Sequence, residues 1–109
     1  MNLYLHIPFC ASRCSYTQTG SRLRRDFINA LIRELHLRRG ELPDGAFIEH
    51  IYFGGGTPSL LTPDELTRIF GTITSLYPLT GLGEVTIECN PDDVTADYAQ
   101  ALGTLPINR

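Results

Sequence analysis

Strand-length apolar runs and helix-length amphipathic runs alternate along this chain, and that alternation restricts its fold more than any other feature. Leu3 to Ile7 is a short apolar run ended by Pro8, which has no N–H to continue a ladder. Ile48 to Phe53 and Glu84 to Glu88 read as two further strands. Between the first two, Leu23, Phe27, Leu31 and Leu35 recur every fourth position, with Ile28 and Ile32 beside them. That spacing predicts a helix from about Leu23 to Arg39, closed by Gly40 in a left-handed conformation. Thr62-Pro63-Asp64-Glu65 opens a second helix with an N-cap, a proline at the first helical position and a capping-box glutamate. Leu66, Ile69, Phe70, Ile73, Leu76 and Tyr77 form its buried face before Pro78, and Thr95 caps a third helix through about Leu102. The order β-α-β-α-β-α implies an α/β chain with a parallel sheet and helices packed outside it. Pro106 to Arg109 reads as the approach to a fourth strand that the chain does not contain.

In parallel α/β sheets, ligands bind at the carboxyl ends of the strands. Cys10 and Cys14 follow the first strand, Gly54-Gly55-Gly56-Thr57-Pro58 the second, and Glu88-Cys89-Asn90-Pro91 the third. All three groups therefore fall on one edge and form a single candidate site. By spacing alone the two loop cysteines are metal ligands or free thiols. The glycine run fits neither Gly-x-Gly-x-x-Gly nor the phosphate-binding loop, but it removes side chains where backbone must approach a ligand and allows positive φ angles. Glu88 offers an acceptor for hydroxyls or an ammonium, or a partner for Arg22 or another surface arginine. Cys89 reads as a small buried hydrophobe on a strand, His6 as a packed strand residue in a supporting role, Asp92 and Asp93 as a solvated turn, and Thr17 to Ser21 as a turn.

The stretch Tyr4-Leu5-His6-Ile7-Pro8-Phe9-Cys10, continuing to Cys14 and Tyr16, resembles the start of the radical S-adenosylmethionine proteins of the oxygen-independent coproporphyrinogen oxidase and heme chaperone group. Tyr52-Phe53-Gly54-Gly55-Gly56-Thr57-Pro58-Ser59 and Glu88 with Asn90-Pro91-Asp92 resemble two further segments of that family. The resemblance implies the N-terminal half of a partial (βα)6 TIM-like barrel, with residues 1–109 a truncated core domain. It implies a 4Fe-4S cluster with Cys10 and Cys14 as ligands. It implies S-adenosylmethionine contacted by Gly55, Gly56 and Thr57, with Tyr4, Tyr16 and Glu88 lining the pocket. Heme or a porphyrin would be the partner of the intact protein. The motif lies within a few residues of Met1, as in the heme chaperone branch; oxygen-independent coproporphyrinogen oxidation, an oxidative decarboxylation of propionates, is the alternative.

One position departs from the family. Its pattern Cys-x-x-x-Cys-x-x-Cys places a third cysteine where this chain has Thr17. Iron–sulfur clusters take thiolates, whereas a threonine hydroxyl is a hard, scarcely ionised donor. A sequence error, a degenerate copy and a chain that has abandoned radical chemistry all account for it. The last two leave a cluster-free, non-catalytic remnant that binds at most a nucleoside-like ligand. Composition narrows the partners: a formal net charge of -3 gives no drive toward nucleic acid or membrane surfaces. No apolar run approaches the roughly 20 residues of a membrane helix. Three cysteines, an odd number, favour a reducing compartment over a disulfide framework. With no signal-like segment at the N-terminus, the expectation is a cytoplasmic protein.

Overall fold

Parallel pairing joins three strands in the order β1-β2-β3, with β1 at Asn2–Ile7, β2 at His50–Gly55 and β3 at Val85–Ile87. The computed structural model describes residues 1–9, 18–79 and 81–109, with helix side chains from residue 22 on. Helices α1 (Gln18–Arg38) and α2 (Pro63–Leu76) make the two crossovers, and α3 (Ala96–Leu102) follows β3. The expected β-α-β-α-β-α order is therefore present. Beyond α3, the Arg109 N–H donates to the Val85 carbonyl at 3.2 Å and the Ile87 N–H to the Arg109 carbonyl at 3.0 Å, so the end of the chain lies along β3 as a parallel neighbour.

Successive strand residues point to opposite faces of a sheet, and among the described residues the helices cover one of them. Leu5, Ile7, Ile51, Phe53, Val85 and Ile87 are buried against Ile28, Leu31 and Leu35 of α1 and Leu66, Ile69, Phe70 and Ile73 of α2. The Phe53 and Phe70 rings meet at 5.3 Å. On the opposite face Tyr4 and Tyr52 are 56% and 40% exposed. Parallel sheets are ordinarily covered on both sides; helices on one side and polar or aromatic residues on the other make a barrel wall.

The second crossover follows its sequence signals closely. The Glu65 N–H donates to Thr62 Oγ1 at 3.1 Å, and the Thr62 N–H donates to Glu65 Oε1 at 2.8 Å, which completes the capping box. Tyr77, just past α2, donates its hydroxyl to the Leu35 carbonyl at 2.9 Å and ties the two helices together. Tyr98 of α3 donates to the Leu61 carbonyl at 2.8 Å.

Three expectations are corrected. Residues 18–21 are helical, not a turn, because small polar residues are tolerated in a first turn whose N–H groups lack intrahelical partners. Leu23 is 54% exposed, so the buried stripe of α1 begins at Phe27 and Ile28. Gly40 has no positive φ: α1 tightens into a 3-10 turn at Arg39–Glu41, closed by Leu42 N–H to Arg39 C=O at 3.4 Å, and needs no left-handed residue.

Two outcomes test this packing. Replacing the fully buried Phe53 by alanine removes its contact with Phe70 and is expected to cost about 3–5 kcal/mol in denaturant unfolding. Burial, followed by the nearby Cys89, Asp93 and Glu65, raises the Tyr98 phenol from 10.0 to about 12. The folded chain thus binds that proton more tightly than the unfolded one, and the associated stability is complete below the lower value and lost as pH rises through the upper. Wild type should exceed Tyr98→Phe by about 1 kcal/mol at neutral pH, with the gap closing across that alkaline window in pH-dependent melting curves.

Candidate functional site

Glu88 stands one residue beyond β3, where its N–H donates to the Phe53 carbonyl at 3.1 Å and carries the ladder past the strand end. That register turns its carboxylate toward the open face. Oε2 accepts the Tyr52 hydroxyl at 3.0 Å, and Oε1 accepts the Gly55 N–H at 3.1 Å. The Tyr52 ring stacks on Tyr4, with centroids 5.8 Å apart and planes at 20°. The Tyr4 hydroxyl is in hydrogen-bond contact with His6 Nδ1 at 3.2 Å. Residues from all three strands thus meet at the carboxyl edge. The hydrogen bond to Glu88, then burial, then the Glu88 charge raise the Tyr52 pKa. Among the described residues no arginine forms an ion pair with Glu88.

The glycines are required by this convergence. A Cβ at Gly54 would lie 2.7 Å from Tyr52 Cε1, 2.9 Å from Glu88 Oε1 and 3.0 Å from Tyr4 Cε2. Gly55 adopts φ +110°, and a Cβ there would meet His6 Nδ1 at 2.7 Å and the Ile7 carbonyl at 2.9 Å. The loop then folds back on β1: the Gly56 N–H donates to the Ile7 carbonyl at 2.8 Å and the Thr57 N–H to the Phe9 carbonyl. The N–H groups of Gly55, Gly56 and Thr57 are therefore all engaged. Among the described residues the Gly56 carbonyl and the Thr57 hydroxyl make no hydrogen bond. With the Glu88 carboxylate, this edge presents acceptors to a ligand that brings its own donors.

Of the residues expected at the site, the fold brings Tyr4, Gly55 and Glu88 together and sets Gly56 and Thr57 beside them. Cys10, Cys14, Tyr16 and Thr17 lie outside the described residues. Among the described residues no three His, Cys, Asp or Glu side chains are grouped to hold a metal ion. Cys89 is exposed, not buried as the sequence suggested, because β3 ends at Ile87 and the strand alternation stops with it. Its sulfur stands 3.8 Å from the Ile87 carbonyl, and its pKa is raised by partial burial and then by Asp93.

Asp93 is also more than a solvated turn residue, since it accepts the hydroxyl of the buried Ser59 at 2.9 Å. Sequence reasoning gave Tyr52, Ser59 and Asp93 no role of their own at the site. The period of two along β2 places Tyr52 on the face of Tyr4 and would have found it; nothing local marks Ser59.

No protein-family model matches the chain. It is 32% identical over 115 residues to the oxygen-independent coproporphyrinogen III oxidase of Synechocystis sp., across 100% of this chain and 25% of that protein. It is 31% identical over 103 residues to the heme chaperone HemW of Escherichia coli, across 89% of this chain and 27% of that protein. Among solved structures, coproporphyrinogen III oxidase (HemN) from Escherichia coli, a radical SAM enzyme, superposes with a TM-score of 0.83 at 25% identity, over 99% of this chain and 26% of that one. The chain spans about a quarter of the length of the relatives it matches. No helix among the described residues is long and apolar enough to cross a membrane.

The two kinds of glycine should separate in thermal unfolding. Gly55→Ala is expected to cost about 1–3 kcal/mol through backbone strain and the Ile7 clash. Gly40→Ala, with open space and no positive φ, should be neutral or slightly stabilising.

Proposed function

From the chain's kinship with the radical S-adenosyl methionine proteins of the coproporphyrinogen III oxidase and heme chaperone group, we propose that residues 1–109 are part of a radical SAM core domain whose sheet edge binds S-adenosylmethionine. The observation that carries this reading is the convergence of a side-chain-free loop, Gly54 to Gly56, with the Glu88 carboxylate and the stacked Tyr4 and Tyr52 rings. A cradle that one Cβ would fill suits a ligand lying against main chain. The Gly56 carbonyl and Glu88 accept hydrogen bonds from an ammonium or from ribose hydroxyls. The Thr57 hydroxyl donates to a carboxylate, and the tyrosine pair supplies a flat wall beside the nucleoside. Tyr16 completes the pocket by resemblance. When bound, S-adenosylmethionine supplies a sulfonium whose carbon–sulfur bond is broken by one-electron reduction.

The donor set of this chain does not fit a 4Fe-4S cluster held by three thiolates. Cys10 and Cys14 provide two, and Thr17 stands at the third position. No catalytic step through such a cluster follows from these residues. Heme or a porphyrin is the partner class of the longer protein. Thr17 favours a heme-binding, chaperone-like role over oxidative decarboxylation, because holding a tetrapyrrole needs no radical. A chain that keeps its cofactor cradle but no cluster is the limit of that reading. Unpaired thiols persist in a reducing compartment, and we place the protein in the cytoplasm.

Two measurements on the full chain test this. Anaerobic reconstitution with iron and sulfide should leave the wild type without a stable cluster and give Thr17→Cys about four irons per chain; four irons on the wild type would refute the assignment of Thr17. Titration calorimetry with S-adenosylmethionine should show binding that Glu88→Gln weakens roughly 10-fold, as for loss of a hydrogen bond to a charged group. Absence of binding, or a Glu88→Gln variant that binds as well as wild type, would overturn the proposed site.

A further inference from the structure

Ser59 stands out because, among the described residues, it is the one buried polar side chain, at 5% exposure. Its hydroxyl is used in both directions. It donates to Asp93 Oδ2 at 2.9 Å and accepts the Asn90 N–H at 3.0 Å, across 34 and 31 residues of sequence. Both partners belong to the segment leaving β3, two and five positions after Glu88. Ser59 itself lies in the 3-10 turn Pro58–Leu60 that follows the glycine loop.

Each of these segments is stiff in itself. On one side, Leu60 N–H bonds the Thr57 carbonyl and Leu61 N–H the Pro58 carbonyl, both at 3.0 Å, over a buried Pro58. On the other, Asn90 Oδ1 accepts the Asp92 N–H at 3.1 Å and the Asn90 carbonyl accepts the Asp93 N–H at 2.9 Å. Two rigid turns joined through one buried hydroxyl have a fixed separation. The bond to Asp93 joins a carboxylate to a buried hydroxyl and is itself part-buried, which makes it stronger than a neutral surface bond. The Tyr98–Leu61 bond is a separate tie, reaching the same crossover from α3; the Tyr98 hydroxyl lies near Cys89 and Asp93 but bonds neither.

We infer that Ser59 is a positioning residue for the cofactor site: latched to Asp93 and Asn90, it sets the spacing between the glycine loop and Glu88. This rests on the reading of that edge as the S-adenosylmethionine site. A ligand that must reach the Gly56 carbonyl, the Thr57 hydroxyl and the Glu88 carboxylate together tolerates only a few tenths of an ångström of drift between the two strand ends, since hydrogen bonds weaken steeply beyond about 3.2 Å. Ser59 touches none of these groups and acts through the turns that carry them.

The test compares Ser59→Ala, Asp93→Ala, Asp93→Asn and Tyr98→Phe in the full chain. Asp93→Asn keeps an oxygen acceptor for the serine, and Tyr98→Phe removes the other tie to the crossover. Amide hydrogen exchange at Gly55 and Gly56 reads the spacing without ligand, and calorimetry with S-adenosylmethionine reads its consequence. Ser59→Ala and Asp93→Ala should each speed exchange and weaken binding by about 10-fold, whereas Asp93→Asn and Tyr98→Phe should stay within about threefold of wild type in both. Exchange in Ser59→Ala and Asp93→Ala no faster than in Tyr98→Phe would overturn the latch, whether or not the chain binds the cofactor. Loosened exchange with undiminished affinity would overturn the positioning role. A wild type that binds no S-adenosylmethionine would overturn the site and the positioning role together, with exchange alone deciding whether the latch exists.

Discussion

Parallel pairing of β1, β2 and β3 brings three strand ends to one edge and, through the two-residue period of a strand, sorts their side chains between a covered face and an open one. Phe53 opposite Ile87 and Leu5 opposite Phe53 keep the large apolar residues under the helices. The same register puts Tyr4 beside Tyr52 and turns Glu88 toward both of them. A slip of one residue in β2 would send Phe53 outward and draw Tyr52 into the core. Burial of the apolar face therefore also aligns the polar site, at no further cost in specificity.

The crossovers convert that alignment into a defined edge. Between β2 and α2 the chain turns through Gly55, then meets Pro58, Ser59 and Leu61, all buried. Three other parts of the fold bond to this short segment: Arg24 of α1 to the Leu60 carbonyl at 3.4 Å, Tyr98 of α3 to Leu61, and Asp93 and Asn90 to Ser59. Arg24 also pairs with Glu65 at 3.4 Å with both side chains partly covered, whereas the pairs of Arg38 with Glu34 and Glu41 lie on the surface and add little. Polar contacts are concentrated at the edge that presents the glycine loop, and apolar contacts hold the sheet behind it.

Gly40 and Gly55 show how far local reading goes. Both occur where a chain changes direction, and the sequence suggested positive φ at both. The structure has it at the second, where the Ile7 carbonyl and the His6 ring leave no room for a side chain. What surrounds Gly55 comes from β1, nearly fifty positions earlier, and no local pattern reports it. Cys89 makes the same point. It follows an alternating run that would bury it, yet β3 stops at Ile87 and the residue turns outward.

What the sequence determined by itself are the properties that arise within one element or from the order of elements. The alternation of strand and helix, the capping box of Thr62 and Glu65, the stripe of α2 and the placement of the glycine loop and the Glu88 segment on one edge all depend on neighbours within a turn or a strand. Only the tertiary structure decided which groups meet there. Tyr52 became the partner of Glu88, the loop N–H groups were spent on β1 and Glu88, and Ser59 was joined to Asp93. Those contacts cross 33 to 49 residues of sequence, and they exist because parallel strands pair only after a crossover has brought distant segments side by side.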